Sequence, residues 1–116
     1  MAYYIRAKSY YRYASDLSKN LYQFKNNPAE LQKKAQEIFK LGLKAIWALS
    51  YVIPPEKSPE FKELWEKTIE SLESEDIPEM EKIKNIIFSE NFNAEQIINS
   101  INKFLEIIRK ILQPIL

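Results

Sequence analysis

Apolar side chains recur every three or four residues along most of this chain, and prolines separate the runs that carry this spacing. Such steps place side chains on one face of an α-helix, whereas a half-buried strand needs strict two-residue alternation. Neither that alternation nor a hairpin signal such as Asn-Gly occurs. Because 116 residues is the usual size of one domain, the pattern predicts an all-α fold in a single domain over residues 1–116.

Prolines and capping residues divide the pattern into five predicted helices. Asn27 and Asn93 are expected N-caps, because an Asn side chain accepts hydrogen bonds from N–H groups of the first helical turn. Short connections then give an up-and-down bundle of four main helices and one short helix. The predicted helices cover, in order, 2–25, 28–53 (stopped by Pro54 and Pro55), a third that opens at Ser58–Pro59–Glu60, a short fourth from Met80 to Phe88, and a fifth between Asn93 and Pro114.

The second predicted helix is apolar on nearly every side after Ile38, which is typical of a helix surrounded by neighbours. It also contains Gly42, the only glycine of the chain. A glycine inside a helix lowers its stability by about 1 kcal/mol relative to alanine. We therefore expect Gly42 to allow a close approach of another backbone, most simply at Ala7 or Ala14 of the first helix.

The absence of histidine and cysteine excludes several classes of function. Zinc sites of the usual Cys/His type, disulfides and mechanisms with a histidine base or a Cys–His pair have no residues to build them. A phosphate-binding loop rich in glycine cannot form around one glycine. The sequence therefore predicts no cofactor, no metal and no catalytic residue.

Two helical segments carry a recognisable pattern of alanine, lysine and aliphatic residues. The first reads Arg6-Ala-Lys-Ser-Tyr-Tyr-Arg-Tyr-Ala14, and the second reads Lys34-Ala-Gln-Glu-Ile-Phe-Lys-Leu-Gly-Leu-Lys-Ala-Ile-Trp-Ala-Leu49. Followed by a last helix with an Asn cap, this order resembles the HEPN superfamily of helical domains, and is most similar to its archaeal PaREP branch. The resemblance extends over residues 3–112.

The chain departs from that family in one respect that bears on function. Ribonuclease members carry Arg-x(4–6)-His near the start of a late helix, and this chain has no histidine. The resemblance therefore implies a member that binds or dimerises without cutting RNA. It also implies a possible protein partner of the nucleotidyltransferase type, as for some HEPN relatives.

Carboxylates at helical spacing form one candidate site, with Lys62 and Lys67 between them. Paired acids can hold Mg²⁺ or act as acid and base. The alternative is a solvated helix face with ordinary four-residue ion pairs, Lys62–Glu66 and Glu63–Lys67. The carboxylates concerned are Glu60, Glu63, Glu66 and Glu70.

Charge is unevenly distributed along the chain. Residues 1–50 hold nine Lys/Arg against three Asp/Glu, a balance of +6, and residues 51–116 hold eight against thirteen, a balance of −5. Cations follow phosphates and aromatic rings stack on bases, so the basic half is a candidate nucleic-acid surface. One alternative is that the cations only keep the domain soluble. Another is that the basic and acidic regions attract each other, within one copy or between copies. The candidate contacts are Lys8, Arg12, Lys19, Lys40 and Lys44.

The apolar content exceeds what a lone bundle of this length needs, and this excess predicts a homodimer. The alternative is that helices 3 to 5 cover the excess within one copy. The expected contributors to the interface are Trp47, Tyr51, Ile98 and Leu105.

The sequence also predicts a location. Residues 1–13 lack the apolar core of a signal peptide, and the longest apolar stretch, 45–53, is far below the roughly 20 residues that span a bilayer. We therefore expect a cytoplasmic protein with no membrane contact. Abundant Lys, Glu, Ile and Tyr fit a thermophile, an archaeon or an AT-rich genome.

Overall fold

A computed structural model describes residues 2–50 and 57–116, with side chains from residue 4 onward. Within these ranges the chain forms five α-helices and three short 3₁₀ turns, and no strand. The predicted all-α bundle is confirmed. The helices are α1 (Ala2–Lys19), α2 (Pro28–Ala48), α3 (Phe61–Ser71), α4 (Ile77–Ile87) and α5 (Ala94–Leu112), and the 3₁₀ turns are Leu21–Phe24, Ser74–Asp76 and Gln113–Ile115.

The first helix is shorter than predicted. It ends at Lys19, and Asn20, with φ −100° and ψ 0°, leaves helical geometry before a 3₁₀ turn carries Leu21 into the core. Asn disfavours helix interiors because its side chain competes for backbone hydrogen bonds. The α2 start is as predicted, since Asn27 Oδ1 accepts a hydrogen bond from the Glu30 N–H at 3.4 Å and Pro28 is the first helical residue.

Helix α2 is the centre of the bundle, because it packs against α1, α3, α4 and α5. Its buried side chains lie around most of its axis and leave an exposed stripe at Lys33, Glu37 and Lys40, as predicted for a helix apolar on nearly every side. It ends at Ala48, earlier than predicted, where the Leu49 and Ser50 N–H groups bond to carbonyls three residues back. Such bonds tighten a helix end into a 3₁₀ turn.

The close approach at Gly42 involves α5 and not α1. A Cβ at this position would overlap the ring of Phe104 and would lie 3.5 Å from Ile108 Cγ1. Ala7 and Ala14, the expected neighbours, are fully buried in the core. The prediction that Gly42 serves α1 is therefore wrong, because the α2 face that carries Gly42 meets the aromatic layer of α5.

Phe39 holds that aromatic layer together. Its ring centroid is 4.6 Å from Phe104, 5.9 Å from Phe88, and 6.2 Å from both Phe61 and Trp65. One fully buried side chain of α2 therefore contacts α3, α5 and the residue that follows α4. Offset and edge-to-face aromatic pairs add about 0.5–1.5 kcal/mol beyond the burial of their area.

Two glutamines of α2 hold the carboxyl end of α4. Gln32 Nε2 donates to the Ser89 carbonyl at 2.6 Å and to the Ile87 carbonyl at 3.1 Å, and Gln36 Nε2 donates to Ile87 at 3.4 Å. The last carbonyls of a helix lack partners within the helix. Side-chain donors from α2 therefore satisfy them and fix the position of α4.

The last helix begins as predicted. Asn93 Oδ1 accepts hydrogen bonds from the Glu95 N–H at 2.8 Å and the Gln96 N–H at 3.3 Å. One side chain therefore satisfies two of the four free N–H groups at the start of α5.

Candidate interaction site

The predicted nucleic-acid contacts lie on one helical hairpin. Lys8, Arg12 and Lys19 belong to α1, whereas Lys40 and Lys44 belong to α2. Short connections join antiparallel neighbours in a bundle, so Lys19 lies at the closed end of the hairpin and Lys44 towards its open end. Arg12, Lys19 and Lys40 are exposed, and Lys8 and Lys44 are half-buried.

Most of these cations have no local counter-charge. Lys19 forms an ion pair with Asp16 at 3.5 Å. Within the described ranges, residues 2–50 and 57–116, no carboxylate lies within 4 Å of Lys8, Arg12, Lys40 or Lys44. Attraction for an anionic partner is therefore not cancelled by ion pairs with the described residues.

Helix α1 also exposes large apolar side chains. Ile5 is 63% exposed and Tyr13 is 54% exposed. At 3.6 residues per turn, Ile5 shares one side of α1 with the cations, and Tyr13 lies on the flank next to Ile5. We define the outer face of α1 as Ile5, Lys8, Arg12, Tyr13 and Lys19. The sequence analysis missed Ile5, although an apolar residue on the polar side of a helix is a visible signal for it.

Two of the four expected dimer contacts are buried inside the protomer. Trp47 of α2 is 8% exposed and Leu105 of α5 is 9% exposed, and α2 packs against α1, α3, α4 and α5. Ile98 is half-buried and lines a shallow cavity of about 260 Å³ beside Tyr22. Tyr51 lies outside the described residues. Trp47 and Leu105 were expected to contribute to a dimer interface, but in this fold they offer little surface to a second copy.

The predicted carboxylates lie on the solvent side of α3 and just before it. We define the acidic face of α3 as Glu60, Glu63, Glu66 and Glu70, all of them exposed. Lys62 pairs with Glu66 at 4.0 Å, as predicted. Lys67 pairs with Glu70 at 3.6 Å instead of with Glu63. Both are exposed pairs, which stabilise a helix by only about 0.2–0.5 kcal/mol each.

Negative charge continues into the turn after α3. Lys110 Nζ of α5 contacts Asp76 Oδ2 at 2.8 Å and Glu73 Oε2 at 3.6 Å. The hydrogen bond to Asp76 raises the pKa of Lys110 above its ordinary value. A hydrogen bond and charge repulsion from Glu73 raise the pKa of Glu75, with a further contribution from Asp76. One lysine therefore does not neutralise this turn.

Other candidate sites have little chemistry to offer. In the described part of the chain, no three His, Cys, Asp or Glu side chains converge as metal ligands. No described helix is both long and apolar enough to cross a bilayer. A cavity of about 560 Å³ between α4 and the start of α5 is lined by three amides (Asn85, Asn91 and Gln96), one cation, one carboxylate, one hydroxyl and three apolar side chains. Such a lining supports no catalytic assignment.

Comparison with known proteins assigns no function to the surfaces described above. No protein-family model matches the sequence, and no curated protein or solved structure is significantly similar to it.

Proposed function

We propose that this protein is a non-catalytic helical interaction module that works as a homodimer. The observation that carries the proposal is the outer face of α1, where Ile5 is more than half exposed beside Arg12 and Tyr13 is more than half exposed on the adjoining flank. Tyrosine and arginine are enriched at protein interfaces, and exposed apolar side chains rimmed by polar residues mark contact surfaces. A second copy of the chain is the commonest partner for such a surface.

The absence of histidine supports the non-catalytic part of the proposal. The chain resembles HEPN domains without their ribonuclease motif, and that resemblance implies binding or dimerisation. A protein of the nucleotidyltransferase type is the other partner that the resemblance implies. We expect purified protein to leave labelled single-stranded RNA intact, and cleavage that co-purifies with the protein would contradict the proposal.

Light scattering on a size-exclusion column tests the dimer. At tens of micromolar protein we expect about twice the chain mass of 13.8 kDa. The variant Ile5→Ser/Tyr13→Ser removes exposed side chains without opening the core, so it should shift the mass towards one chain. Tyr22→Ser/Leu116→Ser is the matched control, because those side chains are similarly exposed elsewhere and the control should stay dimeric. A single-chain mass for the unmodified protein would contradict the proposal.

Nucleic-acid binding is the second candidate function. It is favoured by the cations of the α1–α2 hairpin that have no ion pair among residues 4–50 and 57–116, together with the exposed ring of Tyr13. Fluorescence anisotropy with single-stranded RNA at two salt concentrations tests it, because phosphate-driven binding weakens steeply with salt. Reversing Lys8, Arg12 and Lys19 to Glu should abolish such binding while circular dichroism still reports the helices. Unchanged affinity in that variant would contradict this candidate.

A further inference from the structure

Two oppositely charged surfaces of this chain lie on different helices that both pack against α2. The outer face of α1 carries Lys8 and Arg12 without ion pairs among the described residues. The acidic face of α3 belongs to a longer acidic segment, since residues 60–81 hold nine Asp/Glu against two Lys. On that face Glu63 has no ion-pair partner within the described ranges. Each surface therefore has the charge that the other lacks.

We propose that the outer face of α1 in one copy docks on the acidic face of α3 in a second copy, and that the second copy returns the same contact across a two-fold axis. This inference rests on the proposed function, because it names the surfaces through which the dimer forms. A two-fold dimer makes each unlike contact twice, so both charged surfaces of both chains are used.

The spacing of the charges on the two helices matches. Lys8 and Arg12 are four residues apart, and so are Glu66 and Glu70, which exchange their long, exposed pairs with Lys62 (4.0 Å) and Lys67 (3.6 Å) for the new contact. With a rise of 1.5 Å per residue, both pairs span about 6 Å along their axes. Two adjacent helices can therefore align both ion pairs at once. The half-buried Ile69 borders the acidic face and gives the exposed Ile5 an apolar neighbour across the contact.

A contact between two α1 outer faces is disfavoured by the same charges. It would bring Arg12 and Lys8 of one copy near the same cations of the other, and like charges across an interface are repulsive. A contact between two α3 faces would likewise oppose carboxylates. Only the unlike pairing brings opposite charges together on both sides.

Charge-reversal complementation tests the inference. Variant A is Lys8→Glu/Arg12→Glu, and variant B is Glu66→Lys/Glu70→Lys. Each variant alone places like charges in both contacts, so its dimer dissociation constant should rise at least about tenfold. In a mixture, the acidic α1 of variant A meets the basic α3 of variant B, and the native contact pairs the remaining surfaces. We therefore expect a two-chain mass from the mixture by light scattering, with a fluorescent label on one variant to identify the mixed species.

Lys82→Glu/Arg109→Glu is the matched control, because it makes the same charge change on exposed residues of α4 and α5. It should dimerise like the unmodified protein. Melting curves by circular dichroism confirm that each variant folds. The neutral variant Lys8→Gln/Arg12→Gln gives a second test, since it should weaken the dimer less than variant A.

The outcomes separate the inference from the proposed function. A dimer that is unchanged in variants A and B, or a mixture that stays monomeric, overturns the inference and leaves the interaction module standing. A single-chain mass for the unmodified protein overturns both. An unmodified monomer that binds single-stranded RNA, with binding lost in variant A, also overturns both and supports the nucleic-acid function.

Discussion

Gly42 and Phe104 illustrate how a single atom sets the distance between two helices. The missing Cβ at Gly42 is the space that the Phe104 ring occupies, and that ring also packs 4.6 Å from Phe39. Phe104 is fully buried, so its ring has little room to move away. Glycine is therefore kept here despite its low helix propensity.

Replacing Gly42 with alanine should destabilise the protein. Overpacking a filled core costs about 1–3 kcal/mol, against a gain of about 1 kcal/mol in helix propensity. We therefore expect the free energy of unfolding, measured with urea, to fall by up to about 2 kcal/mol. In a Phe104→Leu background the ring is gone, so Gly42→Ala should become neutral or stabilising. Equal destabilisation in both backgrounds would contradict this assignment.

Local chemistry was predictable at single residues, but long-range partners were not. The caps at Asn27 and Asn93 follow from residues within three positions, and the structure has both. The neighbour of Gly42 was predicted wrongly, because helical spacing tells which face a residue occupies and not which helix covers that face. The large exposure of Tyr13 likewise depends on which helices leave its side of α1 uncovered, and no local pattern tells this.

At the scale of elements, the contact between α2 and α4 depends on side-chain amides. Gln32 and Gln36 satisfy carbonyls more than fifty residues away. No sequence pattern pairs a glutamine with a distant helix end, so this link was not predictable. The helix count and the central place of α2 were predictable, because both follow from apolar periodicity.

Gln32→Glu should weaken this link. The change replaces a donor with an acceptor and puts an anion near the negative end of the α4 dipole. Leaving such carbonyls unsatisfied costs about 1–3 kcal/mol. The introduced carboxyl has a raised pKa in the folded state, so the loss should be present above the ordinary glutamate pKa of about 4.3 and disappear as the pH falls below it.

Urea unfolding at pH 7 and pH 3.5 measures the effect. Gln23→Glu is the matched control, because Gln23 is exposed and its side chain donates a local hydrogen bond to the Asn20 side chain, at 3.4 Å. The control should change stability by less than about 0.5 kcal/mol. Equal losses in Gln32→Glu and Gln23→Glu would show that the α4 carbonyls do not depend on Gln32.

At the scale of the whole molecule, the charge asymmetry was predictable and the fate of the apolar excess was not. Residue counts alone separate a basic half from an acidic half. Whether an apolar side chain is surplus depends on how many helices surround it, and the structure encloses Trp47 and Leu105 within one copy. Ile5 and Tyr13, the exposed apolar side chains of α1, lie near cations of the same helix. Association of two copies should therefore depend on charge as well as on apolar area.

Sedimentation equilibrium of the unmodified protein over a range of concentrations, at low and high salt, tests the central claim most directly. The account predicts a two-chain mass, about twice 13.8 kDa, at tens of micromolar protein in low salt. It also predicts a shift towards one chain as salt screens the contact between α1 and α3. A mass of one chain at every concentration in low salt would contradict the account.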